Sequence, residues 1–228
     1  MAKTKSPRED NLQELESALT KTEQFIEDNQ KIISYVVGGI LLVVAGYLGF
    51  NKLYLQPKED EALSQMFMAE NYFEKDSFNL AINGDGNYLG FLDIIDDYGI
   101  TKSANRAKYY AGISYLHIGE YEEAIDYLKS FKTKDLLLAP VAAGAQGDAL
   151  VELGEMDKAL KQYKKAYSVS ENEFTTPVYM MKAAGLLETM DEPKEALTLY
   201  ELIKAKYPTS AEGTNIDKYI ARVKLKMS

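Results

Sequence analysis

The chain has 228 residues, 46% of them apolar, and a formal net charge of −9. An acidic balance disfavours nucleic acid, whose phosphates need clustered Lys and Arg. The lack of cysteine removes disulfides, thiolate zinc sites and a cysteine nucleophile, and the single His117 leaves no multi-histidine metal site.

Residues 1–31 form the first segment. Leu12, Leu15, Leu19, Ile26 and Ile33 fall near heptad spacing, with Thr22 and Asn29 interrupting it. The pattern predicts an amphipathic helical tail, read either as a partner helix or short coiled coil, or as a solvated extension.

Residues 32–50 carry no charge, and 19 helical residues span roughly 28 Å, near the hydrocarbon thickness of a bilayer. This predicts a transmembrane helix over 32–55. Tyr35, Tyr47 and Tyr54 sit near its ends, where amphipathic rings favour the interface, Lys31 and Lys52 flank the run, and Pro57 is expected to end the helix. A cleaved signal peptide fits less well. The run is longer than the usual ~7–15 residues, polar and net-acidic residues precede it, and no clear small-x-small cleavage site follows. Lys21 and Lys31 before the span balance Lys52 and Lys58 after it, so orientation rests on Lys3, Lys5 and Arg8, which place the N-terminus in the cytoplasm. Gly38, Ala45 and Gly49 share one helical line that could admit another membrane helix; the alternative is that glycine is simply frequent in such helices.

From residue 59 onward the periodicity is helical, and it repeats. Gly112 and Ala124, Gly147 and Ala159, and Ala184 and Ala196 are pairs of small residues at one common offset. Successive units lie 35 and 37 residues apart. This resembles the tetratricopeptide repeat (TPR) family, a helix–turn–helix unit of about 34 residues. The small residues let helix A and helix B of a unit pack closely. Gly119 and Gly154 fall at the turn, where a left-handed residue is cheap, and Asp191 takes that place in the last unit. Leu128, Tyr163 and Tyr200 are expected to fill the gap to the next unit, and Pro140 and Pro177 can start helices. No unit has the family's early Trp, and Leu150 and Leu187 replace its helix-A Tyr.

Residues 57–104 read as a divergent first unit, in which Ala69, Tyr72 and Ala81 keep the offsets. Its helix B is broken at Asn83-Gly84-Asp85-Gly86-Asn87 and is expected to resume near Tyr88. The break lacks the ligand alternation and distal Glu of a calcium loop, and reads as a turn that reroutes the chain. Residues 105–213 hold three TPR units, and 214–228 a capping helix with Thr214 at its N-cap and Lys218, Arg222, Lys224 and Lys226 facing water. The predicted fold is all-α: one N-terminal transmembrane helix followed by a TPR solenoid.

Enzyme chemistry is not expected. No nucleophile–base arrangement or phosphate-cradling loop is visible, and Asp96-Asp97 and Glu122-Glu123 read as solvated faces, so neither cofactor nor metal is assigned. The resemblance implies instead a groove lined by helices A. By family position it would present Arg106, Tyr109 and Ile113, then Val141, Gly144 and Asp148, then Val178, Met181 and Gly185. Its apolar character, with Met and Tyr, suits hydrophobic protein segments.

The layout of tail, single span and TPR domain, with GDG and GFLDI in the first unit, resembles the YfgM-like ancillary subunits of the Sec translocon. That resemblance covers the chain in architecture, through motifs that are mostly generic to TPR units. It implies a bacterial inner-membrane protein with a periplasmic TPR domain. The implied role is a chaperone or adaptor for newly translocated proteins. Its implied partners are translocon subunits, a membrane-anchored prolyl isomerase and client polypeptides. Two other readings stay open: a scaffold of another envelope or secretion assembly, and a membrane-bound stress regulator.

Overall fold

The computed structural model describes residue 20 and residues 23–228. Leu12, Leu15, Leu19 and Thr22 of the tail lie outside the described residues. The chain divides after Pro57 into two units.

In the first unit, helical residues 23–28 precede α1 (Gln30–Phe50). No side chain of α1 is buried against protein. A core helix of a soluble domain would be mostly buried, so that reading does not fit. Among the described residues this segment is the one long and apolar enough to cross a membrane. Ala45 is exposed and Gly38 and Gly49 are half-exposed on its surface, and a Cβ added at Gly38 or Gly49 meets nothing within 4 Å. Pro57 does not end a helix. A five-residue π-helical segment, Asn51–Leu55, comes first, and Pro57 is the second residue of α2 (Gln56–Glu74). Proline lacks a donor and crowds the carbonyl four residues back. The wider π turn, in which Gln56 N–H reaches the Asn51 carbonyl, accommodates both defects.

In the second unit, the first repeat pairs α2 with a short α3 (Phe78–Asn83), followed by α4 (Phe91–Asp97). The next three are α5 (Lys102–Ile118) with α6 (Tyr121–Ser130), α7 (Leu138–Glu152) with α8 (Met156–Val169), and α9 (Thr176–Thr189) with α10 (Pro193–Lys206). A helical turn α11 (Ala211–Thr214) and α12 (Ile216–Lys226) follow.

One turn geometry recurs in all four units. Asp76, Gly119, Gly154 and Asp191, each seven residues after its unit's small residue, adopt positive φ. The next N–H then bonds the carbonyl five residues back: Ser77 to Tyr72, Glu120 to Tyr115, Glu155 to Leu150 and Glu192 to Leu187. This is the Schellman closure, which satisfies the last carbonyls of helix A.

The helix pairs close on the small residues. A Cβ at Gly112 would lie 2.6 Å from Leu128 Cγ, and one at Gly147 2.6 Å from Tyr163 Cε1. Ala184 and Tyr200, at the same offset, are fully buried. The bulky residue of helix B thus crosses the small residue of its own unit rather than only filling the gap to the next. Leu128 does both, since it also joins Ala142 and Ala145 in one cluster.

In the first unit Gly84 and Gly86 have positive φ, and Asp85 organises the break. Its carboxylate accepts the Asn87 and Tyr88 amides at 2.9 and 2.8 Å and the Tyr72 hydroxyl at 2.8 Å. The Tyr72 bond, then the two amides, hold this carboxyl below its usual range. Helix resumes at Phe91, not Tyr88, because Gly90 must lie against the chain: a Cβ there would be 2.3 Å from the Ile82 carbonyl. Phe91 and Ile94 are fully buried.

The C-terminal cap differs from expectation. Ser210, not Thr214, caps a helix start, its Oγ accepting the Gly213 amide, while the Thr214 hydroxyl donates to the Ser210 carbonyl. Ile216, Ile220 and Val223 are buried. The basic face is not merely solvated: Arg222 and Lys226 pair with Glu188, and Lys224 with Glu201.

Candidate protein-binding groove

Helices A carry the residues that family position assigns to the groove, and the structure divides them into tied and open ones. Arg106 is exposed, but its guanidinium donates to Ser103 Oγ at 3.0 Å and lies 3.9 Å from Glu59. Glu59 itself caps α5 from α2, accepting the Lys102 and Ser103 amides at 2.6 and 3.1 Å. Carboxylates stabilise helix N-termini in this position, here across two repeats. Tyr109 and Ile113 pack on the cluster of Leu128, Phe131, Ala142 and Ala145, and burial pushes the Tyr109 hydroxyl up. Gly144 does not face open space: the Tyr179 ring of the next helix A lies over it, 1.9 Å from where a Cβ would stand.

Asp148 is fully engaged. It accepts the Tyr163 hydroxyl at 2.7 Å, and Lys182 Nζ lies 2.7 Å from both of its oxygens. Lys182 also sits over the Tyr163 and Tyr179 rings, 5.9 Å from each centroid. Burial first, then the Asp148 bond, raise the Tyr163 hydroxyl far above its ordinary value. A like set of contacts stands one unit on, with its carboxylate further along helix A. Glu188 accepts the Tyr200 hydroxyl at 2.8 Å and pairs with Arg222 and Lys226, with its own side chain only 7% exposed. Burial alone would raise this carboxyl, but the bonds from Arg222, Tyr200 and Lys226 prevail and hold it below 4.5.

Val141, Val178, Met181 and Gly185 remain partly open, and a Cβ at Gly185 meets nothing within 4 Å. Val178 lines a cavity of about 350 Å³ with Phe174, Tyr207 and Ala211, rimmed by Glu173 and Glu212.

The sequence reading passed over the loops that enter α7 and α9. Asp135 accepts the Leu137 and Leu138 amides at 2.8 and 2.9 Å, and Asn172 accepts those of Phe174 and Thr175 at 2.9 and 2.8 Å. These matched turns hold Leu136, Leu137 and Phe174 outward, 67%, 47% and 77% exposed. Asn172 Nδ2 also donates to the Leu136 carbonyl at 3.4 Å, tying the two loops. The available signal was the 37-residue recurrence of an Asx residue two positions before an apolar one.

His117 stacks on the Phe78 ring at 4.4 Å, and the rings are 3° from parallel.

No curated protein matches the chain in sequence. The tetratricopeptide repeat model matches residues 106–135, which run from the second turn of α5 through α6 into the loop beyond. The fold is an all-α helical repeat array with TPR character, and TPR domains mediate protein–protein interactions.

Proposed function

We propose that this chain is a membrane-anchored TPR adaptor and chaperone that holds apolar polypeptide segments and performs no catalysis. The observation that carries this reading is the apolar row at the entry to helices A: Leu137 and Val141 in the third unit, Phe174 and Val178 in the fourth, beside the cavity that Tyr207 closes. Apolar side chains left exposed, as Leu137 and Phe174 are, beside others left half-open mark protein contact sites. The acidic rim of Glu173 and Glu212 favours clients with basic residues flanking the apolar ones.

In this reading α1 is the single membrane span, the tail is cytoplasmic, and the repeats stand in the periplasm of a bacterial cell. The likeness of the layout to ancillary translocon subunits motivates the partners: Sec translocon subunits, a membrane-anchored prolyl isomerase and newly translocated clients. A photo-crosslinking residue at position 174 or 178, in intact membranes, tests the site. Adducts to translocon subunits, the isomerase or nascent secreted chains support it, and their absence rejects it. Phe174→Asp with Val178→Asp should abolish those adducts when the probe stands at position 141. Since the chain has no native cysteine, a single cysteine at Glu212 reports topology, and labelling from the cytoplasm alone would overturn the periplasmic placement.

A further inference from the structure

The face carried by helices B holds a second recess. α6 and α8 are its walls and α7 its floor, around a cavity of about 600 Å³. Ile125, Leu150 and Leu153 supply apolar surface. Glu122, Asp126 and Lys129 on α6, and Lys158, Lys161 and Lys165 on α8, keep spacings of three, four and seven residues. Each wall is therefore one helical face about 10 Å long.

The charges in this recess are largely unpaired. Among the described residues, Lys158 pairs with Glu155, while Glu122, Asp126, Lys129, Lys161 and Lys165 make no ion pair. On the helix-A face, by contrast, Glu59, Asp148 and Glu188 all have cations beside them. Two amides add polar features. Gln162 Oε1 is buried without a hydrogen-bond partner, and Gln146, 5% exposed, gives one N–H to the Ala142 carbonyl and lines the same cavity.

We propose that this trough takes an amphipathic helix of a partner protein. Its apolar stripe lies over Ile125, Leu150 and Leu153. Carboxylates along one edge meet Lys161 and Lys165, and cations along the other meet Glu122 and Asp126. A helix is the occupant because its backbone is already satisfied, whereas an extended chain would need main-chain partners that a trough walled by helices does not offer. Two rows of side chains over a third helix form the groove into which a helix packs its own ridge. The excess of carboxylates on the α6 wall, where Lys129 stands at one end, and of cations on the α8 wall fixes the direction in which that helix lies. This goes beyond the adaptor reading and stands independently of it, on other residues: α7 serves both, but Val141 belongs to the apolar row and Gln146 and Leu150 to the trough.

The test uses the full chain in phosphatidylcholine nanodiscs with a photo-crosslinking residue in place of Ile125. Three biotinylated helical peptides share one leucine–alanine stripe and differ in their edges: one acidic and one basic, both acidic, or both basic. At low salt the mixed-edge peptide should give half-maximal adduct at about tenfold lower concentration than either uniform one. Lys161→Gln with Lys165→Gln should erase its advantage over the all-basic peptide, and Glu122→Gln with Asp126→Gln its advantage over the all-acidic one. Phe174→Asp with Val178→Asp, which disables the adaptor row, should leave the pattern intact. Equal adduct yields from all three peptides overturn the proposal. So does a preference that survives the glutamine substitutions, or adducts only between two copies of the chain.

Discussion

Units two and three use the same backbone offset with different chemistry. In the second, Leu128 of α6 lies over Gly112 and the neighbouring groove residue is Ile113, so the junction with the third unit is apolar. In the third, Tyr163 lies over Gly147 and carries its hydroxyl to Asp148, which then holds Lys182 of the next repeat. The fourth unit builds a like brace from a carboxylate at another position, with Tyr200, Glu188 and Arg222. One side chain thus fills the space between the helices of a unit and fixes a carboxylate that ties that unit to its successor. The contrast teaches that an acidic residue at a groove position, such as Asp148, can be an internal brace rather than a free charge.

The largest test of this contrast removes the packing itself. Tyr163→Ala should cost about 3–5 kcal/mol and Leu128→Ala about 2–5 kcal/mol, because both leave a cavity between close-packed helices. Tyr163→Ala should be the worse, since it also deprives Asp148 of a donor. Urea unfolding of the full chain followed by circular dichroism gives the totals. Residue-resolved hydrogen exchange should show the third unit opening first in one variant and the second in the other, as expected where each repeat is stabilised by its neighbours. Equal losses confined to the same unit would break the comparison.

A smaller step separates packing from the hydroxyl. Tyr163→Phe and Tyr200→Phe should each cost about 1 kcal/mol, the net worth of one hydrogen bond whose acceptor keeps its cation. A loss of several kcal/mol would mean that the carboxylates cannot hold their lysine and arginine without the phenol.

The repeat frame was readable from sequence because it rests on local rules. Small residues recur where helices must touch, and the turn follows seven residues later because the helix closes with a left-handed residue there. The chain break at Gly84 and Gly86 is local in the same sense. What failed depends on partners far along the chain. Asp148 reads as a free groove charge until Lys182, 34 residues on, is placed beside it. Leu136 and Leu137 belong to an apolar run that resembles core, and only the bonds to Asp135 turn them outward. Pro57 was expected to stop a helix, which overlooked the five-residue π segment able to absorb it.

Acid should act unequally on the two kinds of junction. Glu188 has a folded value held below 4.5, so its contribution is complete above about pH 4.5 and is lost as the pH falls through that lower value. The contact between α9 and α12 should then loosen on acidification, seen as faster exchange of α12 amides. Glu188→Gln should remove that acid-dependent part. The apolar junction of Tyr109 and Ile113 with Ala142 and Ala145 offers no such group, and should hold its protection over the same range. Parallel loss at both junctions would show that the carboxylate brace is not what fails first.

The smallest effects lie in the turns, where the four units differ only in residue type. Gly119 and Gly154 occupy the left-handed region with φ of 85° and 75°, while Asp76 and Asp191 occupy it at 56° and 60° with a side chain attached. A Cβ at Gly154 would meet nothing within 4 Å, so Gly154→Ala probes backbone strain without a steric clash. It should cost about 1 kcal/mol. Asp191→Gly should move the other way by a few tenths of a kcal/mol. Relief of strain at φ 60° outweighs the added freedom of the unfolded chain by a small margin, because aspartate tolerates this region better than most residues. Thermal melts of the two variants measure both signs. If Gly154→Ala proves neutral, the left-handed closure is not what makes these turns selective. The recurrence of Gly and Asp seven residues past each small residue would then need a cause in the unfolded chain rather than in the turn.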